Sequence, residues 1–476
     1  MTTDIPHRPT APSDRTAGLR LSRAAGHGRP AAPVRVVHLG LGSFFRAHQA
    51  WYTDNAPDAA GWGVAAFTGR SRALAEALAP QDGLYTLVTH APDGERLRVV
   101  SSVSAVHGGD EHDAWLGYWA DRAVSVATFT VTEAGYVRTA DGGLDTGRAD
   151  VRADVAALRA DGLAPVRTVP ARVVAGLRLR RASGAGPMTL LPCDNLPENG
   201  PALRRVVLEL ADLVDPALAD WIGGSAAFAT SMVDRITPAT TDADREAVRA
   251  ATGLADSAPV GTEPFSEWAV AGEFPAGRPA WDEAGAQLVE DVLPFEQRKL
   301  WLLNGAHSLL AYAGSALGHR TVAQAVADPR LRRWLQSWWD EAARHLPLPA
   351  DELTAYRRAL LERFGNPRIE HLLAQIAADG SEKLPVRVAP VLRAECAAGR
   401  VPSGAGTVVA AWVLHLRGRG APVREARPDR VAGLADGRLD DAVRAVLDRL
   451  GPGLGGHEPL VADVLGRARE LEGLVG

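Results

Sequence analysis

Val-Arg-Val-Val-His-Leu at Val34–Leu39 is a short β-branched run that stops at Gly40. Gly40-Leu41-Gly42 follows, and helix-compatible sequence continues to about Asn55. A strand, a Gly-x-Gly turn and a helix, in that order, are the start of a dinucleotide-binding βαβ unit. Gly40 permits the tight turn. Gly42 lets the backbone approach a pyrophosphate seated on the positive N-terminus of the next helix. Phe45 stands where the third glycine of the usual pattern falls. Gly40, Gly42 and Phe45 are therefore the candidate residues of a nucleotide turn. An ordinary strand–helix turn is the alternative reading of a lone Gly-x-Gly.

Further strand-like runs at 63–68, 99–103, 123–130 and 189–191 alternate with helical sequence such as 71–78. That alternation predicts an α/β fold with a doubly wound sheet. After about residue 290 the pattern turns helical, over 296–313, 321–327, 331–345, 351–364, 367–378, 407–416, 440–450 and 459–474, with a Gly/Arg/Pro-rich loop at 417–430. A chain of 476 residues exceeds one ordinary core. The expected organisation is a Rossmann-type domain over 34–290 and a mainly helical substrate and catalytic domain over 291–476. Residues 1–33 are rich in Arg, Pro and Ala and lack the apolar stretch of a secretory signal. They read as a disordered or loosely draped leader with a faint likeness to a transit peptide.

Composition excludes several classes. Hydrophobic residues make up 46%, charged residues 23%, and the net charge is −5. Basic clusters are short, so neither nucleic acid nor an anionic membrane surface is an expected partner. No stretch approaches the roughly 20 apolar residues of a membrane helix. The two cysteines, Cys193 and Cys396, lie outside any CxxC or Cys/His array. No disulfide framework and no metal site are expected, and a reducing cytoplasm suits the chain. No long amphipathic seam demands a partner subunit, so a monomer or weak oligomer is expected.

The end of the second strand, where an acid normally meets the ribose of NAD, reads Phe67-Thr68-Gly69-Arg70-Ser71-Arg72. Arg70, Ser71 and Arg72 there suit a 2′-phosphate, or else are solvated loop residues. NAD and NADP both stay open.

The most informative segment runs from Phe295 to Leu310 and carries Lys299, Asn304 and His307 among leucines. On an α-helix residues advance by about 100° each, which places Asn304 roughly 140° and His307 roughly 80° from Lys299. A helix this apolar is buried, and three polar side chains on one arc of it must be paired or face a cavity. Singly, each has an ordinary reading: a snorkelling lysine, a satisfied core histidine, a helix-terminal Asn-Gly. Together they suit the oxidation of a secondary alcohol. A partly desolvated lysine takes the hydroxyl proton, an asparagine amide donates to the developing alkoxide, and a histidine orients the substrate or relays the proton.

These residues resemble the polyol-specific long-chain dehydrogenase family. The resemblance spans about residues 34–388. It is carried by His38-Leu39-Gly40-Leu41-Gly42 with Phe45-Arg46-Ala47-His48-Gln49, by QDGLYTLV at 81–88, TVTEAGY at 130–136, and Cys193-Asp194-Asn195-Leu196-Pro197-Glu198-Asn199-Gly200. SMVDRITP at 231–238, Gly277-Arg278-Pro279-Ala280-Trp281 and the Lys299 helix extend it. The resemblance implies metal-independent chemistry with Lys299 as general base. Asn304 and Asn195 would hold the oxygen being oxidised, and His307 would position the substrate. It places the catalytic centre in a cleft between the two domains. It also marks Asp379-Gly380-Ser381-Glu382-Lys383-Leu384-Pro385 as a substrate region, with Lys383 in contact with substrate. Mannitol-type members carry an arginine eight positions before that lysine, where this chain has Gln375. Gln375, Lys383 and Arg387 resemble the fructuronate reductase branch instead. A uronate carboxylate needs a cation, which Lys383 or Arg387 can supply.

The implied reaction interconverts a secondary alcohol and a ketone of an open-chain sugar derivative, D-mannonate with D-fructuronate foremost. Mannitol, arabinitol or sorbitol and their ketoses are the alternative. A non-catalytic redox sensor is the reading of another class, but a sensor has no use for a base. Asp234-Arg235 and the Trp334, Trp338, Trp339 segment are expected to be structural.

Overall fold

The computed structural model describes residues 19–475. The chain forms two compact units, one ending at Val292 and the other starting at Leu293.

The first unit is built on six parallel strands: β1 (Val34–Leu39), β2 (Gly63–Phe67), β3 (Val103–His107), β4 (Val126–Phe129), β5 (Met188–Pro192) and β6 (Ala226–Phe228). Their order is β3-β2-β1-β4-β5-β6, and every pairing is parallel. This is the doubly wound arrangement. The order reverses between β1 and β4, so ligands are expected outside the carboxyl ends of those strands. β2 and β5 are buried along their whole length, as strands covered on both faces must be. Alternate residues feed opposite cores. Val37, Leu39, Ala65 and Phe67 pack with Trp115, Trp119 and Leu210. Val36, Val64, Ala66 and Val126 pack with Phe45, Tyr52, Trp268 and Trp281.

Three expectations for this unit need correction. The run 99–103 is not one strand. Gly94–Val100 ends and Val103–His107 begins around Ser101 and Ser102, whose groups turn away to Asp54 Oδ1 and the Ala50 carbonyl. The short strand Ala226–Phe228 was not foreseen, because Ala-rich sequence carries no strand signal. Of the expected leader, residues 1–18 lie outside the described residues, but 19–33 are not loosely draped. Leu19–Arg20 pairs with Leu254–Ala255, and Leu21 is fully buried. Arg23 donates to the carbonyls of Ser101 and Val103, and Arg29 pairs with Asp54. Here arginine satisfies backbone carbonyls of buried residues, a use that composition does not reveal.

The second unit is helical. One continuous helix changes its winding three times: α over Leu293–Arg298, π over Lys299–Gly305, α over Ala306–Leu309 and π again over Leu310–Gly314. Pro329–Ala343, Ala350–Phe364, Ser403–Leu416, Leu439–Leu450 and Glu458–Val475 are its longest helices besides. The expected helix over 367–378 shrinks to Leu373–Ile376, because Leu372 bridges Thr321 and the Asn366 side chain caps a turn before it. Residues 417–430 have only one short 3-10 turn, at Pro428–Arg430.

Candidate active site

In the first unit β1 delivers the chain to Gly40, whose φ of +115° lies outside the range ordinary side chains adopt. A Cβ there would stand 2.1 Å from the Thr130 carbonyl oxygen, so only glycine lets β1 and β4 end so close together. Gly42 is different. A Cβ on it would meet nothing nearer than the Gly40 carbonyl at 3.5 Å. The space over the turn is open, and the first amides of the Ser43–Ala47 helix have no intrahelical acceptor. These residues fit a dinucleotide phosphate.

Phe45 needs correction as a cofactor contact. Its ring is buried and stacked on His38, with centroids 3.6 Å apart. It does the helix–strand packing that the third glycine permits elsewhere, and its side chain lies in the core. Beyond β2, Arg70 and Ser71 are exposed. Ser71 Oγ accepts from the Ala73 amide, and Arg72 donates to both carboxylate oxygens of Asp110, at 2.6 Å each. An acid from the loop after β3 thus engages Arg72 beyond the strand end.

Asn195 is exposed at the turn after β5. Two neighbours hold that turn. Tyr136, itself buried, donates its hydroxyl to Asp194 Oδ2 at 2.5 Å. Burial pushes the Asp194 carboxyl up to about 6. Asn199, fully buried, donates to the Ser231 and Asp194 carbonyls and accepts from Thr230 Oγ1 and the Ser231 amide. Both motifs are legible in the sequence, but these links between them are not. Their signal was a tyrosine and an asparagine among small and turn-forming residues, without obvious solvent-facing work. Arg235 is structural as expected, donating to the Ala47 and Glu263 carbonyls over the Trp51 ring.

In the second unit Lys299 and Asn304 are half-buried and His307 is buried. The regular α spacing expected for them fails, because 299–305 winds as a π-helix. There five residues, not four, close a hydrogen-bonded turn. Asn304 therefore stands to Lys299 as a residue four along does in an α-helix, closer in azimuth than the expected arc. Trp338 and Trp339, fully buried, donate their indole N–H groups to the carbonyls of Trp301 (2.9 Å) and Leu302 (2.7 Å). A Cβ on Gly305 would lie 2.6 Å from the Trp338 ring, so that glycine admits the indole. The tryptophan segment is packing, as expected, and it also supports the wide turn. His307 packs against the rings of Phe364 (4.7 Å) and His371 (4.9 Å). Arg298, next to Lys299, is pinned by Glu352 and the Tyr356 ring.

Lys383 and Arg387 lie one turn apart on the helix Gly380–Arg387. Lys383 Nζ donates to the carbonyls of Ile376 and Ala378. Arg387 Nη1 reaches the Asn304 carbonyl and Ser308 Oγ, each at 3.4 Å. The Gln375 side chain is exposed. Among the described residues no group of three or more His, Cys, Asp or Glu side chains could hold a metal ion, and no helix is long and apolar enough to cross a membrane.

The chain matches the mannitol dehydrogenase Rossmann domain over residues 34–283 and the mannitol dehydrogenase C-terminal domain over 291–430. It is 37% identical over 394 residues to D-mannonate oxidoreductase of Escherichia coli (strain K12), covering 81% of this chain and 80% of that one. D-arabinitol 4-dehydrogenase of Ralstonia nicotianae is 39% identical over 401 residues, covering 81% and 84%. Among solved structures, Pseudomonas fluorescens mannitol 2-dehydrogenase, in ternary complex with NAD and D-mannitol, aligns with a TM-score of 0.76 and 32% identity, over 93% of this chain and 92% of that chain.

Proposed function

The chain belongs to the mannitol dehydrogenase family of oxidoreductases, and on that premise we propose that it interconverts D-mannonate and D-fructuronate. The observation that carries this reading is one helix bearing Lys299, Asn304 and His307, with the Arg387 guanidinium set against the Asn304 carbonyl. The similarity to D-mannonate oxidoreductase supports it.

In the alcohol-to-ketone direction Lys299 takes the proton of the reacting hydroxyl. Asn304 and Asn195 donate amide hydrogens to the oxygen as negative charge builds on it. His307, held between Phe364 and His371, positions the sugar chain. Gly40 and Gly42 form the dinucleotide turn, and Arg70 and Ser71 flank the adenosine end. NAD(H) supplies the hydride acceptor or donor when bound, and the Pseudomonas fluorescens relative with NAD supports that choice over NADP. Gln375, Lys383 and Arg387 line the substrate region, and no metal takes part. We place the protein in the cytoplasm, acting on small sugar derivatives without an obligatory partner subunit.

The test is an absorbance assay of D-fructuronate, D-mannonate, fructose, mannitol and arabinitol with NAD(H) and NADP(H), on wild type and Lys299→Ala. Fructuronate reduction is expected to lead the panel. Removing a general base should lower turnover by about 100-fold or more with cofactor affinity kept. Activity confined to mannitol or arabinitol would replace the sugar-acid reading with a polyol one. Undiminished turnover of Lys299→Ala would remove the base.

A further inference from the structure

We propose that Arg387 is the residue that reads charge in the substrate, receiving its carboxylate and so separating sugar acids from neutral polyols and ketoses. This rests on the sugar-acid reading above. Two cations stand one helical turn apart, and the structure assigns them different duties. Lys383 is committed: its ammonium donates to the Ile376 and Ala378 carbonyls and ties its helix to the segment after Gln375. Arg387 is not. Its guanidinium makes two long contacts, to the Asn304 carbonyl and Ser308 Oγ at 3.4 Å, through one nitrogen alone.

Those contacts set the positive charge beside the backbone of Asn304, within the reach of a short sugar chain whose hydroxyl is held there. No carboxylate ion-pairs with Arg387 among the described residues. The nearby carboxylates of the same region are engaged elsewhere: Glu425 accepts from Ser381 Oγ and its amide, Asp379 from the Ala426 amide, and Glu382 pairs with Arg430. Tyr312 lies within electrostatic reach, but burial pushes its phenol up, so it stays neutral and balances no charge. Burial lowers the guanidinium to about 10, which leaves it charged at neutral pH. A half-buried cation without a counter-ion is unfavourable unless an anion completes it. A guanidinium presents parallel N–H groups that match a carboxylate bidentately.

The experiment compares wild type, Arg387→Gln and Arg387→Lys in NADH-dependent reduction of D-fructuronate and D-fructose, with melting temperature as the fold control. Calorimetry of D-mannonate and D-mannitol binding to the NADH-loaded protein accompanies it. Arg387→Gln should raise KM for fructuronate about 30-fold or more, as expected for a buried charge pair cut on one side. The change in kcat should be smaller, the loss on fructose at least tenfold less, and Arg387→Lys should recover part of the fructuronate KM. Wild type should bind mannonate more tightly than mannitol, which decides the matter if the glutamine variant does not fold. Equal losses on both ketoses, equal binding of acid and polyol, or a fructuronate KM unchanged in Arg387→Gln while wild type reduces fructuronate would overturn the assignment and leave the reaction standing. A wild type that does not reduce fructuronate at all would overturn the sugar-acid reading itself.

Discussion

Asp194 shows how a residue outside the reacting set can govern it. Its carboxyl is closed over by the Tyr136 hydroxyl and the Leu196 amide, next to Asn195. In the fold it keeps its proton up to about 6, whereas its ordinary value is 3.8. Between those values the folded state binds more protons than the unfolded one, so this group's contribution to stability falls as pH rises through the window. Asp194→Asn mimics the protonated form and lacks that dependence. Urea midpoints measured from about pH 4 to about pH 7 should show the variant gaining on wild type up to pH 6 and no further. A gap constant with pH would remove the titration from the account. The same variant should change substrate KM more than cofactor affinity, since it alters the turn that carries Asn195.

At the scale of the element, the Lys299 helix is not the regular cylinder that hydrophobic periodicity suggests. Two indole N–H groups on Pro329–Ala343 take the Trp301 and Leu302 carbonyls, giving buried backbone oxygens of a wide turn a partner. Trp339→Phe keeps the ring and deletes one donor. It should lower stability by about 1–3 kcal/mol, the penalty of a buried carbonyl left unmet. If the π turn depends on that bond, turnover should fall in step while cofactor affinity holds, as read by urea unfolding and by kinetics with saturating NADH. A fully stable variant with unchanged turnover would show that the wide turn is set by Gly305 and the leucines alone. The nucleotide turn is a contrasting element. There the strand and Gly40 were legible because their constraint is local: a φ of +115° and the close approach of the Thr130 carbonyl leave no residue but glycine at position 40.

At the scale of the molecule, each unit has a core of its own, and the proposed chemistry needs a base and amide donors rather than a Lewis acid. Exhaustive dialysis against a chelator should leave the specific activity of the protein unchanged; loss restored by a divalent ion would overturn the metal-independent mechanism. The change of character near residue 290 was readable because alternating short strands and long amphipathic helices have different periods. The candidate site residues were readable because polar side chains on an apolar helix stand out. By itself, then, the sequence determined the α/β class, the glycine turn, the change to helices and the candidacy of Lys299, Asn304 and His307. Each of these is encoded in spacing or in a local conformational need. The tertiary structure decided the rest: that Phe45 serves the core, that residues 19–33 belong to the first unit, that Arg72 is held by Asp110, that the Lys299 helix widens into a π turn, and that Lys383 is tied to two carbonyls of its own neighbourhood while Arg387 makes two long contacts, to the Asn304 carbonyl and Ser308 Oγ. All five depend on which groups meet in three dimensions, and such partners leave no periodic trace in the sequence.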